Sequence, residues 1–256
     1  MTSIEVKQNQ DNACVNLHGV YYRDLNTRLC ELVNEGTRSL ELNNACGQRY
    51  IGTSLKGDVK ITINGTPGND LGAFMDGPSI TVNGNVQDCC GNTLNNGRIV
   101  VHGHGGDIFG MSARGGKLFV RDYVGYRAGI HMKAYQDKKP SLVIGSTAQD
   151  FLGEYMAGGV LVVLGLGLEE NETHKANFIG TGMHGGVIYM SGKVEDHQLG
   201  KEVAKAELDE SDWQVLRPLI DEFALYFGYN AEEIAARPFY KLYPKYLRPY
   251  GRMYAY

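Results

Sequence analysis

The chain has 256 residues, 43% hydrophobic and 21% charged, which is room for one large domain or two modest ones and excludes a disordered polymer. Its formal net charge of -4 disfavours a general nucleic-acid binder, and its longest aliphatic run, Val160 to Leu164, falls far short of the roughly 18 residues a membrane span needs. The N-terminus shows no basic stretch followed by an apolar core, and the five cysteines include no Cys-x-x-Cys pair, so a cytoplasmic protein with reduced thiols is expected.

The first 44 residues predict a small α/β cap. Asp24 is a plausible N-cap, Leu25, Leu29, Leu32 and Val33 share one helical face, and Gly36 is a stop. Leu40 and Leu42 then alternate as a short strand.

From there a repeat takes over. The chain holds 34 glycines, nearly twice the usual share of about 7%. A first set, Gly52, Gly72, Gly91, Gly110, Gly129, Gly153 and Gly180, recurs every 19 to 27 residues. A second set follows at Gly57, Gly77, Gly97, Gly116, Gly159 and Gly186, with Pro140 in the fifth unit. A third closes each unit at Gly65, Gly84, Gly103, Gly145, Gly165 and Gly192, with Asp122 in the fourth. Two and four residues before each third position stand Ile61/Ile63, Ile80/Val82, Ile99/Val101, Leu118/Val120, Ser141/Val143, Leu161/Val163 and Ile188/Met190. That is a period-two strand repeated seven times. The residue before each first glycine and the residue three after it are also apolar.

No single coil of this kind can bury its own apolar face, but stacked coils turn each column into a ladder inside a tube. The pattern predicts an all-β solenoid core: a right-handed parallel β-helix of about seven coils over residues 45–192. An N-terminal α/β cap over 1–44 precedes it, and C-terminal helices with a Tyr/basic-rich arm over 193–256 follow. Two units are longer, through Lys133–Pro140 and Leu166–Asn177, and such insertions emerge as surface loops.

After Gly192 the composition becomes acidic. Trp213, Leu216, Ile220, Phe223 and Phe227 mark an amphipathic helix with Gly228 as its stop, kinked or restarted at Pro218. Asn230 with Glu233 starts a short second helix. From Phe239 the tail holds six tyrosines and four basic residues and reads as an arm docking on the rod or on another chain.

The outward strand positions turn apolar in the later coils. Val100, Phe119, Leu142, Ile144, Val162, Leu164 and Tyr189 form a stripe that a soluble protein seldom leaves wet. It is covered either by the C-terminal helix or by another polypeptide, and these seven are the candidate partner-facing residues.

The motifs that look chemical have plainer readings. Residues 180–185 satisfy the dinucleotide pattern G-x-G-x-x-G, but a strand follows where that fingerprint needs a helix. His102 and His104 form a His-x-His pair without a third ligand, and His131 and His184 lie on other corners. Asp88, Asp107 and Asp150, with Asn69 and Asn177, recur three residues before a first glycine, as turn-capping side chains do. Cys90 points inward as an inert thiol. No catalytic, cofactor-binding or metal-ligating residue is assigned.

The stretches GQRYIG (47–52), GNDLGAFMDGP (68–78), GNTLNNGRIVVHG (91–103), GYRAGIHMK (125–133), DFLGEYMAGGVLVVLGLG (150–167), GTGMHGGVIYMSG (180–192) and VEDHQLGKEV (194–203) closely resemble the GXGXG domain, the C-terminal β-helix of the glutamate synthase large subunit. The likeness is strongest to the stand-alone version of that domain, and the C subunit of formylmethanofuran dehydrogenase is a more distant relative. The resemblance implies a non-catalytic scaffold that holds a glutaminase and an FMN/iron–sulfur synthase subunit at fixed separation. FMN and the cluster then belong to those partners; Thr2 stands where a glutaminase would need cysteine. Two alternatives remain: the scaffold of a molybdenum- or tungsten-dependent formylmethanofuran-type enzyme, and a free-standing carbohydrate-active β-helix.

Overall fold

The structure, a computed structural model, describes residues 4–169 and 172–246. In chain order it contains β1 (Val6–Asn9), β2 (Asn12–Asn16), α1 (Tyr22–Asn34), β3 (Ser39–Cys46), β4 (Lys60–Thr66), β5 (Asp76–Asn83), β6 (Asn96–Val101) and β7 (Lys117–Val120). There follow β8 (Ser141–Ile144), β9 (Ala157–Val163), β10 (Gly185–Ser191), β11 (Val203–Glu207), α2 (Glu210–Phe227), α3 (Ala231–Ala235) and β12 (Phe239–Pro244). All twelve strands join one sheet in the order β1-β2-β3-β4-β5-β6-β7-β8-β9-β10-β12-β11. Strands β2 to β10 pair in parallel, each with the next, so the chain winds as a parallel β-solenoid. The seven strands β4 to β10 are the expected rungs, and six turns link them.

Two inward columns run the length of the tube. One passes through Leu40, Ile61, Ile80, Ile99, Leu118, Leu142, Leu161 and Ile188; the other through Leu42, Ile63, Val82, Val101, Val120, Ile144, Val163 and Met190. All are at most 1% exposed, and each large side chain removed from water contributes about 1.5–3 kcal/mol. At the other end of the coil the residue before each first glycine, such as Ile51, Leu71 or Phe109, is also fully buried.

The corners show why glycine recurs there. At Gly72 the backbone sits at φ +66°, and Asp70 and Phe74 on either side lie at +60° and +58°. Three alternate residues in the left-handed region fold the chain sharply, and a Cβ on Gly72 would stand 2.6 Å from Ile99 Cδ1 of the next coil.

The fifth coil departs from the expected register. Ser141 pairs with Lys117 and Val160, Val143 with Phe119 and Val162, and Leu142 and Ile144 point inward. The corner that closes this unit is Ser146, whose N–H donates to Asp122 O (3.0 Å) and whose carbonyl accepts from Gly165 N (3.1 Å). Gly145 lies one residue earlier, and a one-residue slip exchanges the two faces of a strand.

The ends also differ from expectation. Asp24 is not the N-cap; Tyr21 occupies that place without a side-chain cap, and Asp24 sits in the first turn, where its charge favours the helix N-terminus. At the far end the coil pattern continues past Gly192. Gly200 N donates to Ile179 O (2.8 Å) and Val203 N to Gly200 O (3.0 Å), which repeats the corner made at Gly52 and Leu55 and adds half an eighth coil. Strand β12 then runs antiparallel to β10, setting Leu242 beside Ile188 to close the first column. The described part of the tyrosine-rich arm therefore docks on the rod; its remainder lies outside the described residues. Helix α2 is continuous through Pro218. Both Pro218 and Gln214, whose carbonyl loses its partner there, are exposed, so water can take the freed acceptor.

Candidate interaction surface

The outer strand face is closed within the chain itself. Val100, Phe119, Val143, Val162, Leu164 and Tyr189 are at most 4% exposed in the chain alone, packed against Leu216, Leu219, Ile220 and Phe223 of α2 and Phe239 of β12. The stripe therefore faces its own C-terminal helix. Of the seven residues expected to face a partner, Val100, Phe119, Val162, Leu164 and Tyr189 lie under α2, and Leu142 and Ile144 lie inside the tube. An amphipathic helix in the same chain covers the stripe without the entropic cost of association.

Polar contacts pin α2 at both ends. Near its N-terminus Asp212 accepts from Tyr189 OH (2.9 Å) and from Lys241 Nζ (2.6 Å). Burial pushes the Asp212 carboxyl up, but Lys241, the Asp209 N–H and the Tyr189 hydroxyl outweigh it and hold the group below its ordinary range. Toward its C-terminus Arg98 bonds Tyr226 OH and lies over that ring, and Lys117 pairs with Glu222. Arg237 reaches Ser191 Oγ (3.1 Å) and Gly165 O (3.0 Å), which fixes α3 to the same face.

The chemically suggestive residues are absorbed by the stack. Asp88 Oδ1 accepts from Asp107 N (2.9 Å), Asp107 Oδ1 from Tyr126 N (2.8 Å) and Asp150 Oδ1 from Asn177 N (2.8 Å), so each carboxylate caps the next coil. Asn43, Asn64 and Asn83 form a side-chain ladder on the outside at 2.7 Å per step. His102 meets the edge of Phe227 and His104 stacks on Tyr123 (4.8 Å), so the two rings of the His-x-His pair serve different neighbours. Burial, with Arg121 nearby, pushes the His102 imidazole down. Among the described residues no three His, Cys, Asp or Glu side chains converge as a metal site. Gly180 is the corner of the seventh coil and β10 follows it, so the dinucleotide-like motif is part of the solenoid. A residue that no sequence motif marks is His174, which is buried and bonds Ser191 O through Nε2 (2.7 Å), anchoring the loop before the seventh coil.

A second surface, exposed, is not foreseen by the sequence reading. Two columns flank the first-set glycines, two residues before and two after, and both keep left-handed backbone. They carry exposed aromatic side chains at Tyr50 and Phe74 in the first two coils, and in the later coils such side chains stack on one another. Phe151 and Phe178 stack at 4.9 Å and 13°, with the Arg127 guanidinium 4.7 Å from the Phe151 ring. His131 and Tyr155 stack at 5.4 Å and 9°, and a Cβ on Gly182 would come within 2.5 Å of the Tyr155 ring. The signal for this surface is aromatics at a fixed offset from the glycine register.

These features define a glycine-cornered parallel β-solenoid whose outer strand face is sealed by its own helix. The chain belongs to the GXGXG motif family, the family of the C-terminal domain of the glutamate synthase large subunit, whose model matches residues 27–249. It is 44% identical over 252 residues to an uncharacterized protein of Methanocaldococcus jannaschii, an alignment covering 95% of this chain and 97% of that protein. None of the helices among the described residues is long and apolar enough to cross a membrane.

Proposed function

We propose that this protein is a non-catalytic structural subunit of a glutamate synthase-type complex, in which glutamine and 2-oxoglutarate yield glutamate. It holds a glutaminase and an FMN/iron–sulfur synthase subunit at a fixed separation, so that ammonia passes between them. The supporting observation is the employment of its polar groups. The recurring Asp and Asn side chains cap neighbouring coils, and the charged residues on the strand face pin α2. A tube filled with side chains and sealed this way is a spacer.

The cysteines do not fit an iron–sulfur cluster of this chain's own. Cys90 lies inside the tube, where burial pushes its thiol far up, while Cys89 beside it faces outward and is pushed up to about 11 by burial and by Asp70 and Asp88. Clusters require thiolates that converge. In this reading the cluster therefore belongs to a partner, and the flavin is assigned to the partners with it.

Reconstitution tests it. The chain, co-expressed with the glutaminase and synthase subunits of the same cell, is expected to co-purify with both and to raise glutamine-dependent glutamate formation. Purification as a self-sufficient enzyme carrying its own flavin would sink the proposal, as would failure to join either of them.

A further inference from the structure

Helix α2 covers the strand face from β6 onward and leaves it open over β4 and β5. Where the helix ends, a groove of about 310 Å³ runs between Tyr226 and the strands, and Lys60, Ser79, Thr81, Arg98 and His102 face into it. The register sets Lys60, Ser79 and Arg98 in one outward column on β4, β5 and β6. Two cations therefore flank one hydroxyl, their backbones two strand spacings apart, about 9.6 Å. Neither cation makes an ion pair among the described residues. No carboxylate lines the groove. Of the acids nearby, Glu222 pairs with Lys117, and Glu41 on β3 accepts from the Asn43 and Asn64 amides (3.1 and 3.5 Å). Asp58, on the corner before β4, is exposed and does not pair with Lys60. All three stay charged, but they stand outside the groove.

We propose that this groove binds a small organic dianion, a chain-like dicarboxylate that sets one carboxylate at Lys60 and the other at Arg98. A single-centred anion would reach both cations only if two long side chains were drawn inward and fixed, at a cost in rotamer freedom. A dicarboxylate spans the gap and leaves the Ser79 and Thr81 hydroxyls to donate to its oxygens. Arg98 is already positioned for this. One of its N–H groups donates to Tyr226 OH and the guanidinium lies 5.3 Å from that ring, which leaves further N–H groups of the fork for a carboxylate. Lys60 is exposed on a flexible stem and can follow the ligand. Burial, with Arg121 nearby, pushes the His102 imidazole down, so that it offers an N–H without a charge. Val100 and the Tyr226 ring supply an apolar wall for the methylenes between the carboxylates. The site lies wholly on this chain and does not depend on the scaffold reading.

Calorimetric titration of the full chain tests the proposal, with succinate, glutarate and adipate as probes of increasing length and with acetate and inorganic phosphate as single-centred anions. At least one dicarboxylate should bind, one per chain, with millimolar or tighter affinity that weakens with added salt. Acetate and phosphate should bind at least about tenfold more weakly. Lys60→Gln removes an exposed cation without an ion-pair partner, so the thermal midpoint should hold while dicarboxylate affinity falls about tenfold, the loss of one charge-assisted bond. Ser79→Ala, which deletes only a hydroxyl, should weaken binding severalfold and keeps the proposal testable should Lys60→Gln lose stability. Lys139→Gln, an exposed cation on the inserted loop, is the control expected to bind as the wild type does. Three results would overturn the proposal: no binding of any of the three dicarboxylates, phosphate binding as tightly as they do, or affinity that neither groove variant changes.

Discussion

A glycine can be required for its backbone or for the space its missing side chain leaves, and Gly145 is of the second kind. Its φ lies outside the left-handed region, unlike Gly72 or Gly129. A Cβ there would overlap the Arg121 carbonyl oxygen and stand 2.6 Å from Phe223 Cζ of α2. Gly145 is the clearance through which the helix approaches the sheet. Gly145→Ala should therefore lower stability by about 1–3 kcal/mol, the cost of overpacking a filled interior, read as an earlier midpoint in chemical denaturation. Wild-type stability would mean that α2 does not press on this rung. The two roles share one letter in a sequence. That is why Gly145 can be mistaken for the closing corner of the fifth coil, and why the inserted Lys133–Pro140 stretch hides the slip. Only the pairing of Val143 with Phe119 and Val162 restores the register.

Helix α2 is an element whose existence is legible and whose address is not. Its apolar spacing, its Asp209 cap and its Gly228 stop at φ 74° are local facts, and local facts can be read along a chain. Which apolar stripe it covers is a question of distance in space, and the stripe on β6 to β10 would accept a helix from this chain or from another. The structure closes the question through Leu216, Ile220 and Phe223, none of them exposed. Phe119 meets Tyr226 edge-to-face at 5.0 Å beneath the helix. Phe119→Ser should therefore lower the melting temperature of the isolated chain, since truncating a buried Phe costs about 3–5 kcal/mol. Unchanged melting together with weakened assembly would show instead that the stripe belongs to a partner interface.

At the scale of the whole molecule the repeat is readable because every coil answers to the same columns, so an error at one position is corrected by six others. The ends have no such redundancy. Leu199, Gly200 and Val203 satisfy the corner pattern, yet the strand that should follow turns into β11 and leaves the stack, and a single partial match is weak beside a change in composition. Interchangeable coils carry a consequence for function. Residues 72–90 span one 19-residue repeat ahead of the rungs that α2 covers most, and their removal joins Leu71 to Gly91 with every inward column still in register. Such a chain should fold and melt cooperatively, because each coil contacts only its neighbours. Its rod would be shorter by one strand spacing, about 4.8 Å. If the solenoid acts as a spacer, the shortened chain should still recruit both catalytic subunits and leave each partial reaction intact. Glutamine-dependent glutamate synthesis would fall, with ammonia escaping to the medium. Full coupling on the shortened rod would show that separation is not what the solenoid sets, and a chain that cannot fold would show that its coils are not equivalent.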